Sequence, residues 1–176
     1  MRIIAGKHRG RVLSSFKGEE IRPTSDRAKE ALFNILQGKI SGSRFLDLFC
    51  GTGSVGIEAL SRGAKEVTLV DLSKESLLLA EKNLNSIGER AETVLSDATS
   101  FVKTNKTREY DIIFLDPPYK AGVSELLEEI GKSGILISGG TLIYEHAEKE
   151  PLEVIGLRLT DSRRYGIAVF DFYIKV

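Results

Sequence analysis

A chain of 176 residues, two fifths apolar and formally uncharged overall, is the size of one ordinary domain with enough apolar surface for a core of its own. Its single cysteine excludes an internal disulfide and a cysteine-rich zinc site. No apolar run nears the ~20 residues of a membrane span, and the opening Met1-Arg2-Ile3-Ile4 starts no long apolar stretch of signal-peptide type, so a soluble cytoplasmic protein without a metal is expected.

The zero net charge hides an asymmetry. Residues 1–29 hold eight Lys/Arg against three Asp/Glu, a balance of +5, and the other 147 hold 17 against 22, a balance of −5. Within the basic part, residues 2–5 and 11–14 are short apolar runs around Gly6-Lys7-His8-Arg9-Gly10, the pattern of a β-hairpin with a basic tip. Arg2, Lys7, His8, Arg9 and Arg11 crowd this segment with no acid among them, which reads as a phosphate-binding arm or as a solvated edge. Pro23 and Thr24/Ser25 then announce a helix, Ala28, Ala31, Leu32, Ile35 and Leu36 follow at helical spacing, and Gly38 ends it. Ser41-Gly42-Ser43 is the expected hinge between an N-terminal extension, residues 1–40, and a core, residues 41–176, within one compact unit.

From residue 44 strands and helices alternate. Residues 44–49, 66–71, 91–95, 110–116 and 141–145 read as strands, and segments near 54–62, 73–87, 97–105 and 122–131 as helices. That alternation predicts an α/β, doubly wound parallel sheet covered on both faces. The tail differs: 153–162 and 167–175 read as two strands joined through Ser162-Arg163-Arg164-Tyr165-Gly166, a hairpin whose last strand is antiparallel to its neighbour.

The loop after the first core strand, Asp47-Leu48-Phe49-Cys50-Gly51-Thr52-Gly53-Ser54-Val55-Gly56, contains G-x-G-x-x-G, and Asp71 follows 20 residues after Gly51. Alone, this is the dinucleotide fingerprint, with a carboxylate placed for a ribose diol. Asp47 separates two cofactors: a carboxylate at that strand end repels a diphosphate and attracts the ammonium and sulfonium of S-adenosylmethionine, a charged hydrogen bond being worth roughly 1.5–3 kcal/mol. Asp97, after the third strand, can accept from an adenine amine, cap the helix that begins at Ala98, or do both. Cys50 reads as a packed small residue rather than a nucleophile.

Asp116-Pro117-Pro118-Tyr119 follows the apolar run Ile112-Ile113-Phe114-Leu115. Two prolines stiffen the turn and keep it extended. An exocyclic base amine is a poor nucleophile because its lone pair is delocalised into the ring. Acceptors on both its hydrogens, the Asp116 carboxylate and the Pro117 carbonyl, draw it toward tetrahedral geometry. Tyr119 can stack on the base, and the base must be unpaired or flipped to enter. The surplus proton goes to Asp116 or to water.

The order Asp-x-Phe-x-Gly-x-Gly then Asp-Pro-Pro-Tyr resembles the amino-methyltransferases of nucleic acids. Arg2-Ile3-Ile4-Ala5-Gly6-Lys7-His8-Arg9-Gly10-Arg11 and Arg22-Pro23-Thr24-Ser25-Asp26-Arg27 narrow the resemblance to the bacterial 16S ribosomal RNA guanine-N2 methyltransferases, the RsmD family, over essentially the whole chain. It implies a class I methyltransferase fold, Rossmann-like, with a seven-stranded sheet. It implies S-adenosylmethionine as donor and guanine 966 of 16S rRNA, in an assembled or nearly assembled small subunit, as target, with the protein a monomer. By motif, Asp47, Phe49, Gly51 and Gly53 hold the methionine end of the donor, Asp71 with Leu72 the ribose side, and Asp97 with Ala98 the adenine. Asp116 adjoins both substrates, and Asp116, Pro117, Pro118 and Tyr119 form the target-base site. Residues 24–27, with Thr24 and Asp26, close over the donor, and the N-terminal hairpin with Arg22 grips RNA. Arg163 and Arg164 can also face RNA, although a plain turn explains them too, and His146 has no partner visible in sequence and no assigned role. The rivals are a DNA adenine-N6 methyltransferase, which usually carries a large extra segment, a Rossmann oxidoreductase, and a non-catalytic RNA-binding assembly factor.

Overall fold

Runs rich in Val, Ile, Leu and Phe form one seven-stranded sheet: β1 (Arg44–Leu48), β2 (Glu66–Asp71), β3 (Glu92–Leu95), β4 (Tyr110–Leu115), β5 (Leu136–His146), β6 (Leu157–Tyr165) and β7 (Ala168–Lys175). Their order is β3-β2-β1-β4-β5-β7-β6. The computed structural model describes residues 1–16, 25–118, 122–147 and 152–176. β1 to β5 pair in parallel, and β7 runs antiparallel to both β5 and β6. The doubly wound, mostly parallel α/β architecture with an antiparallel C-terminal hairpin is therefore the one expected. α1 (Asp26–Ile35), α2 (Ser54–Ser61) and α3 (Lys74–Ser86) cover one face, and α4 (Ala98–Thr104) and α5 (Ser124–Lys132) the other. None of the described helices is long and apolar enough to cross a membrane.

Because side chains alternate along a strand, each face has its own core. Phe45, Leu69, Ile112, Phe114, Ile143 and Phe170 pack under α1, α2 and α3. Leu46, Leu48, Val70, Ile113, Leu115, Leu142 and Tyr144 pack under α4 and α5. This alternation also decides which residues emerge together at the strands' carboxyl ends.

Several expected boundaries move. β5 starts at Leu136 rather than 141: Gly139 takes a left-handed φ of 77° and Gly140 lies where a Cβ would crowd the Asp111 carbonyl, so the strand bulges there and still pairs Tyr110 with Leu136. β6 runs to Tyr165, so Ser162, Arg163 and Arg164 lie in a strand and only Gly166 and Ile167 turn the chain. Strand pairing through Arg164↔Val169 extends further than the polar composition suggests.

Ser25 caps α1 as expected, accepting from the Ala28 N–H, but the buried stripe is Ala28, Lys29, Leu32, Phe33 and Leu36, with Ile35 turned outward. Lys29, 0% exposed, causes the shift. Its Nζ donates to the Arg2 carbonyl (2.7 Å) and Ser54 Oγ (3.0 Å) and lies 3.6 Å from Glu58. Glu58, equally buried, accepts from the Ile4 and Ala5 N–H groups at 2.8 and 3.0 Å and from Arg62 Nε at 2.7 Å. One carboxylate thus joins the N-terminal segment, α1 and α2. Burial lowers the Lys29 pKa, and the nearby Glu58 charge opposes that shift.

The N-terminal segment is not a free-standing hairpin. Its arms do pair as a hairpin, Arg2 opposite Val12, with Ile3 N donating to the Arg11 carbonyl, Gly10 N to the Ile3 carbonyl and Leu13 N to the Met1 carbonyl. Its tip, however, lies on α2: Lys7 N donates to the Ser61 carbonyl at 2.8 Å and His8 N to Ser61 Oγ at 3.0 Å, and Gly6 is needed because a Cβ would overlap the Ser61 backbone. The expected hinge is likewise tied down, Gly42 N donating to the Gly63 carbonyl and Lys65 N to the Ser43 carbonyl, each at 2.8 Å.

Glu58→Ala strands two backbone donors and two cations in the interior, and loss of one partner of a buried pair costs about 3–5 kcal/mol. The expected result is a fall in unfolding free energy of that size, with proteolysis entering first within residues 1–16; urea titration and limited trypsinolysis measure both.

Candidate active site

The alternation that builds the two cores carries Asp47, Asp71, Asp116 and Glu145 to one face. Asp47 follows Phe45 by two residues, Asp71 follows Leu69, Asp116 follows Phe114 and Glu145 follows Ile143, and all four of those apolar residues lie in the same core cluster. The carboxylates therefore share the α1–α2–α3 face, at the carboxyl ends of β2, β1, β4 and β5, which adjoin in that order. In an open α/β sheet this edge is where ligands bind.

The loop after β1 is shaped by backbone strain. Phe49 adopts a positive φ of 63°, a conformation costly for a non-glycine residue, and Gly51 and Gly53 take 54° and 81°. Gly53 precedes the first residue of α2, and a side chain at Gly56 would collide with Leu69, so that helix lies close on the sheet. At Gly51 the space is open. Asp71 secures the loop: its Oδ2 accepts from Gly51 N and its Oδ1 from Ser73 N, both at 2.8 Å. Asn83, in α3, donates to the carbonyls of Thr52 and Ser14, both at 3.0 Å, and accepts from Ser14 N at 2.7 Å, joining this loop to the N-terminal segment.

Asp47 is 1% exposed and accepts from Gly56 N at 2.9 Å. Burial pushes its pKa up to about 8; the Gly56 N–H opposes this, and Asp71 and Glu145 add to it. Asp116 is pushed well above the ordinary carboxylate range, first by burial, then by Glu145, then by Asp47. Among the described residues neither Asp47 nor Asp116 forms an ion pair. Cys50 is buried and its thiol is driven up by desolvation, in keeping with a packed, inert residue. Pro117, Pro118, Val123, Tyr144, Glu145 and His146 line a cavity of about 200 Å³ that begins at the residue after Asp116.

Other expected residues fall as follows. Leu72 is 74% exposed immediately after Asp71, and Asp97 caps α4 through its Oδ1, which accepts from Ser100 N at 2.8 Å, with Ala98 buried behind it. Asp26 begins α1 and pairs with Arg2 at 3.2 Å. Lys7 and His8 both meet Glu89, at 2.5 and 2.7 Å, and Arg11 donates to the Ser86 carbonyl, whereas Arg9 is exposed. Arg163 pairs with Asp161 at 2.9 Å, and Arg164 is exposed on β6. Arg22, Pro23, Thr24 and Tyr119 lie outside the described residues.

Sequence reasoning misses Glu145. It closes a strand legible in the sequence, but its place beside Asp116 follows only from the β4–β5 register Leu115↔Tyr144. It also misses the partner of His146. Nε2 of that ring lies 2.7 Å from Asp171 Oδ2, Asp171 Oδ1 accepts from Ser162 Oγ at 2.6 Å, and the ring stacks on Tyr144 with centroids 4.6 Å apart.

Residues 1–174 match the family described as Conserved hypothetical protein 95. The chain is 40% identical over 154 residues to Ribosomal RNA small subunit methyltransferase D of Haemophilus influenzae, covering 85% of this chain and 80% of that protein. It is 36% identical over 182 residues to the Putative rRNA methyltransferase YlbH of Bacillus subtilis, covering 99% of each. Among solved structures, the putative methyltransferase yhhF from Escherichia coli superposes with a TM-score of 0.88 at 32% identity, covering 99% of this chain and 97% of that one. The strand order and this likeness make the fold that of the class I methyltransferases.

The raised Asp47 pKa has a consequence for stability. The unfolded chain releases this proton near the ordinary carboxylate value of 3.8, and the folded chain keeps it until about 8. Between these values the folded state binds more protons, so this group's contribution to stability is full below the lower value and is lost as pH rises toward the upper one. Asp47→Asn keeps an acceptor for Gly56 without the charge. Without added ligand its Tm should exceed that of the unaltered protein at about pH 8, by ~2–4 °C per kcal/mol regained, and match it at about pH 4. Calorimetry across that range measures the gap, and a gap independent of pH would contradict a buried, titrating Asp47.

Proposed function

The chain belongs to the Conserved hypothetical protein 95 family, and from that premise we propose that it transfers a methyl group from S-adenosylmethionine to the exocyclic N2 amine of a guanine in small-subunit ribosomal RNA. The resemblance to the RsmD family puts that guanine at position 966, in an assembled or nearly assembled particle, with the protein acting as a monomer in the cytoplasm. The observation that carries the reading is the arrival of Asp47 and Asp116 on one face at the ends of adjacent strands, with Pro117 and Pro118 following Asp116 directly and lining a cavity.

The residues present fit this donor. Asp47 and Asp116 form a buried acidic centre without ion pairs among the described residues, which favours a cationic ligand. Open space at Gly51 allows close approach to the backbone. When bound, S-adenosylmethionine supplies a methyl group on a sulfonium. Asp47 attracts the ammonium end. Asp71 retains lone pairs for a ribose diol while holding Gly51 and Ser73. Leu72 offers an exposed apolar surface and Asp97 a carboxylate on the adenine side. Thr24 and Asp26 belong to the segment that covers the donor.

Opposite the donor, the Asp116 carboxylate and Pro117 carbonyl accept the two hydrogens of the amine, and Tyr119 stacks on the base. Fixing both reactants in line removes much of the entropic barrier. Burial and the neighbouring carboxylates favour the protonated form of Asp116, so the surplus proton goes to Asp116 or to water. RNA phosphates meet Arg9 and Arg11 first, and Arg2, Lys7, His8, Arg22, Arg163 and Arg164 are the further candidates for phosphate contact.

Labelled methyl donor incubated with unmodified small subunits, naked rRNA and DNA should transfer label to the subunits, and nucleoside mass spectrometry should identify N2-methylguanosine. N6-methyladenine in the DNA arm would replace this reading. Asp116→Ala should lower kcat at least ~100-fold with donor affinity almost intact, and unchanged turnover removes its role. Arg9→Glu with Arg11→Glu should weaken RNA binding and flatten its salt dependence by about one unit of slope for each phosphate no longer neutralised; filter binding across salt concentrations measures this.

A further inference from the structure

Glu145 is not accounted for by the donor or by the two acceptors on the amine. Parallel pairing sets Leu115 beside Tyr144, so the next residues along, Asp116 and Glu145, are neighbours across the β4–β5 pair. They share the α1–α2–α3 face, because Phe114 and Ile143 two residues earlier both belong to its core. Adjacent strands lie about 4.8 Å apart, so side chains from these two positions can converge on adjacent groups of one base edge. Glu145 is half-buried and lines the same cavity as Pro117 and Pro118.

The nucleic-acid bases with an exocyclic amine differ in what sits next to it. In guanine the ring nitrogen N1 beside the amine carries a hydrogen. In adenine and cytosine the corresponding ring nitrogen carries a lone pair. A carboxylate next to the group that grips the amine therefore attracts one base and repels the other two. We propose that the Glu145 carboxylate accepts the N1–H of the target base while Asp116 and Pro117 hold its amine, and that this pair of neighbouring carboxylates sets the site for guanine. The inference rests on the reading of Asp116 and Pro117 as the amine-binding groups. The same closeness appears electrostatically, since after burial Glu145 is the largest influence raising the Asp116 pKa. Bringing a donor to the pair lowers that repulsion, whereas a lone pair adds to it.

The test uses the full chain and small subunits reconstituted with either guanine or 2-aminopurine at the nucleotide that mass spectrometry shows to be methylated. 2-Aminopurine keeps the exocyclic amine and lacks the N1 hydrogen. The unaltered protein should lose about 10- to 100-fold in kcat/KM on 2-aminopurine, the size expected for one charged hydrogen bond. Glu145→Gln should lose a similar factor on guanine and discriminate between the two bases by less than about threefold, because its amide can turn a donor toward N1. Equal rates of the unaltered protein on both bases overturn the assignment, whether or not the variant folds. So does a Glu145→Gln protein that retains the full discrimination. If the unaltered protein yields N6-methyladenine, the reading of the site fails with it; if it yields N2-methylguanine without discrimination, only the part given to Glu145 fails.

Discussion

The structure turns on how the chain treats carboxylates that it withdraws from water. Two acidic groups of buried residues occur under the same helices, and they are handled in opposite ways. Glu58 is surrounded by Lys29, Arg62 and two backbone N–H groups, so its charge is neutralised and its acceptor capacity used. Asp47 receives one backbone N–H and feels other carboxylates, and Asp116 feels Glu145 and Asp47. A buried ion is expensive without a partner. The first group is complete and holds the molecule together. On the reading proposed here, the second is completed only by a cation that comes and goes. The upward pKa shifts are in keeping with that reading, since burial and neighbouring carboxylates favour the protonated forms of Asp47 and Asp116 and a positive charge nearby acts in the opposite sense.

The two groups are mechanically joined. Glu58 fixes residues 4 and 5 to α2, and Asn83 fixes Ser14 and the loop carbonyl at Thr52 to α3. The N-terminal segment and the strained glycine loop therefore share supports. The positive φ at Phe49 lies next to these supports and between strand and helix, where the residue packs against the α4–α5 core. Rigid placement of the loop lets Asp71 bridge Gly51 and Ser73 without losing its orientation toward the crevice.

Most of this framework is readable in the sequence because it is written locally. Alternating apolar runs mark the strands, turn residues mark the loops, and Asp47, Asp71, Asp97 and Asp116 stand at strand ends visible from periodicity alone. What escapes depends on register between distant segments. Glu145 becomes a neighbour of Asp116 only after β5 pairs with β4, and His146 meets Asp171 only because β7 inserts between β5 and β6. Lys29 falls outside the apolar stripe that periodicity picks out, and the partners that draw it inside lie at positions 2, 54 and 58. Arg163 and Arg164 read as a turn because polar residues dominate there, yet the edge of a sheet tolerates charge and even benefits from it.

The basic N-terminal segment acquires a further meaning from its position. It packs on the same sheet face as the acidic centre, with Ile3 and Leu13 in the core beneath α1 and α2. On the reading proposed here a polyanion must approach a crevice lined with carboxylates, and unaided that approach is repulsive. Pairing of Lys7 with Glu89, to which His8 also bonds, and of Arg2 with Asp26 keeps part of the local positive field within the protein. Arg9 and Arg11 remain exposed, and the tip that carries them lies at the carboxyl-terminal ends of α2 and α3, beside Ser61 and Ser86. Phosphate-seeking charge is thus kept apart from the acidic centre, which lies at the other end of α2, at the carboxyl ends of the strands. On that reading RNA is held by its backbone away from the crevice and a single base crosses into it, so that the cationic donor and the anionic substrate meet the face at separate places.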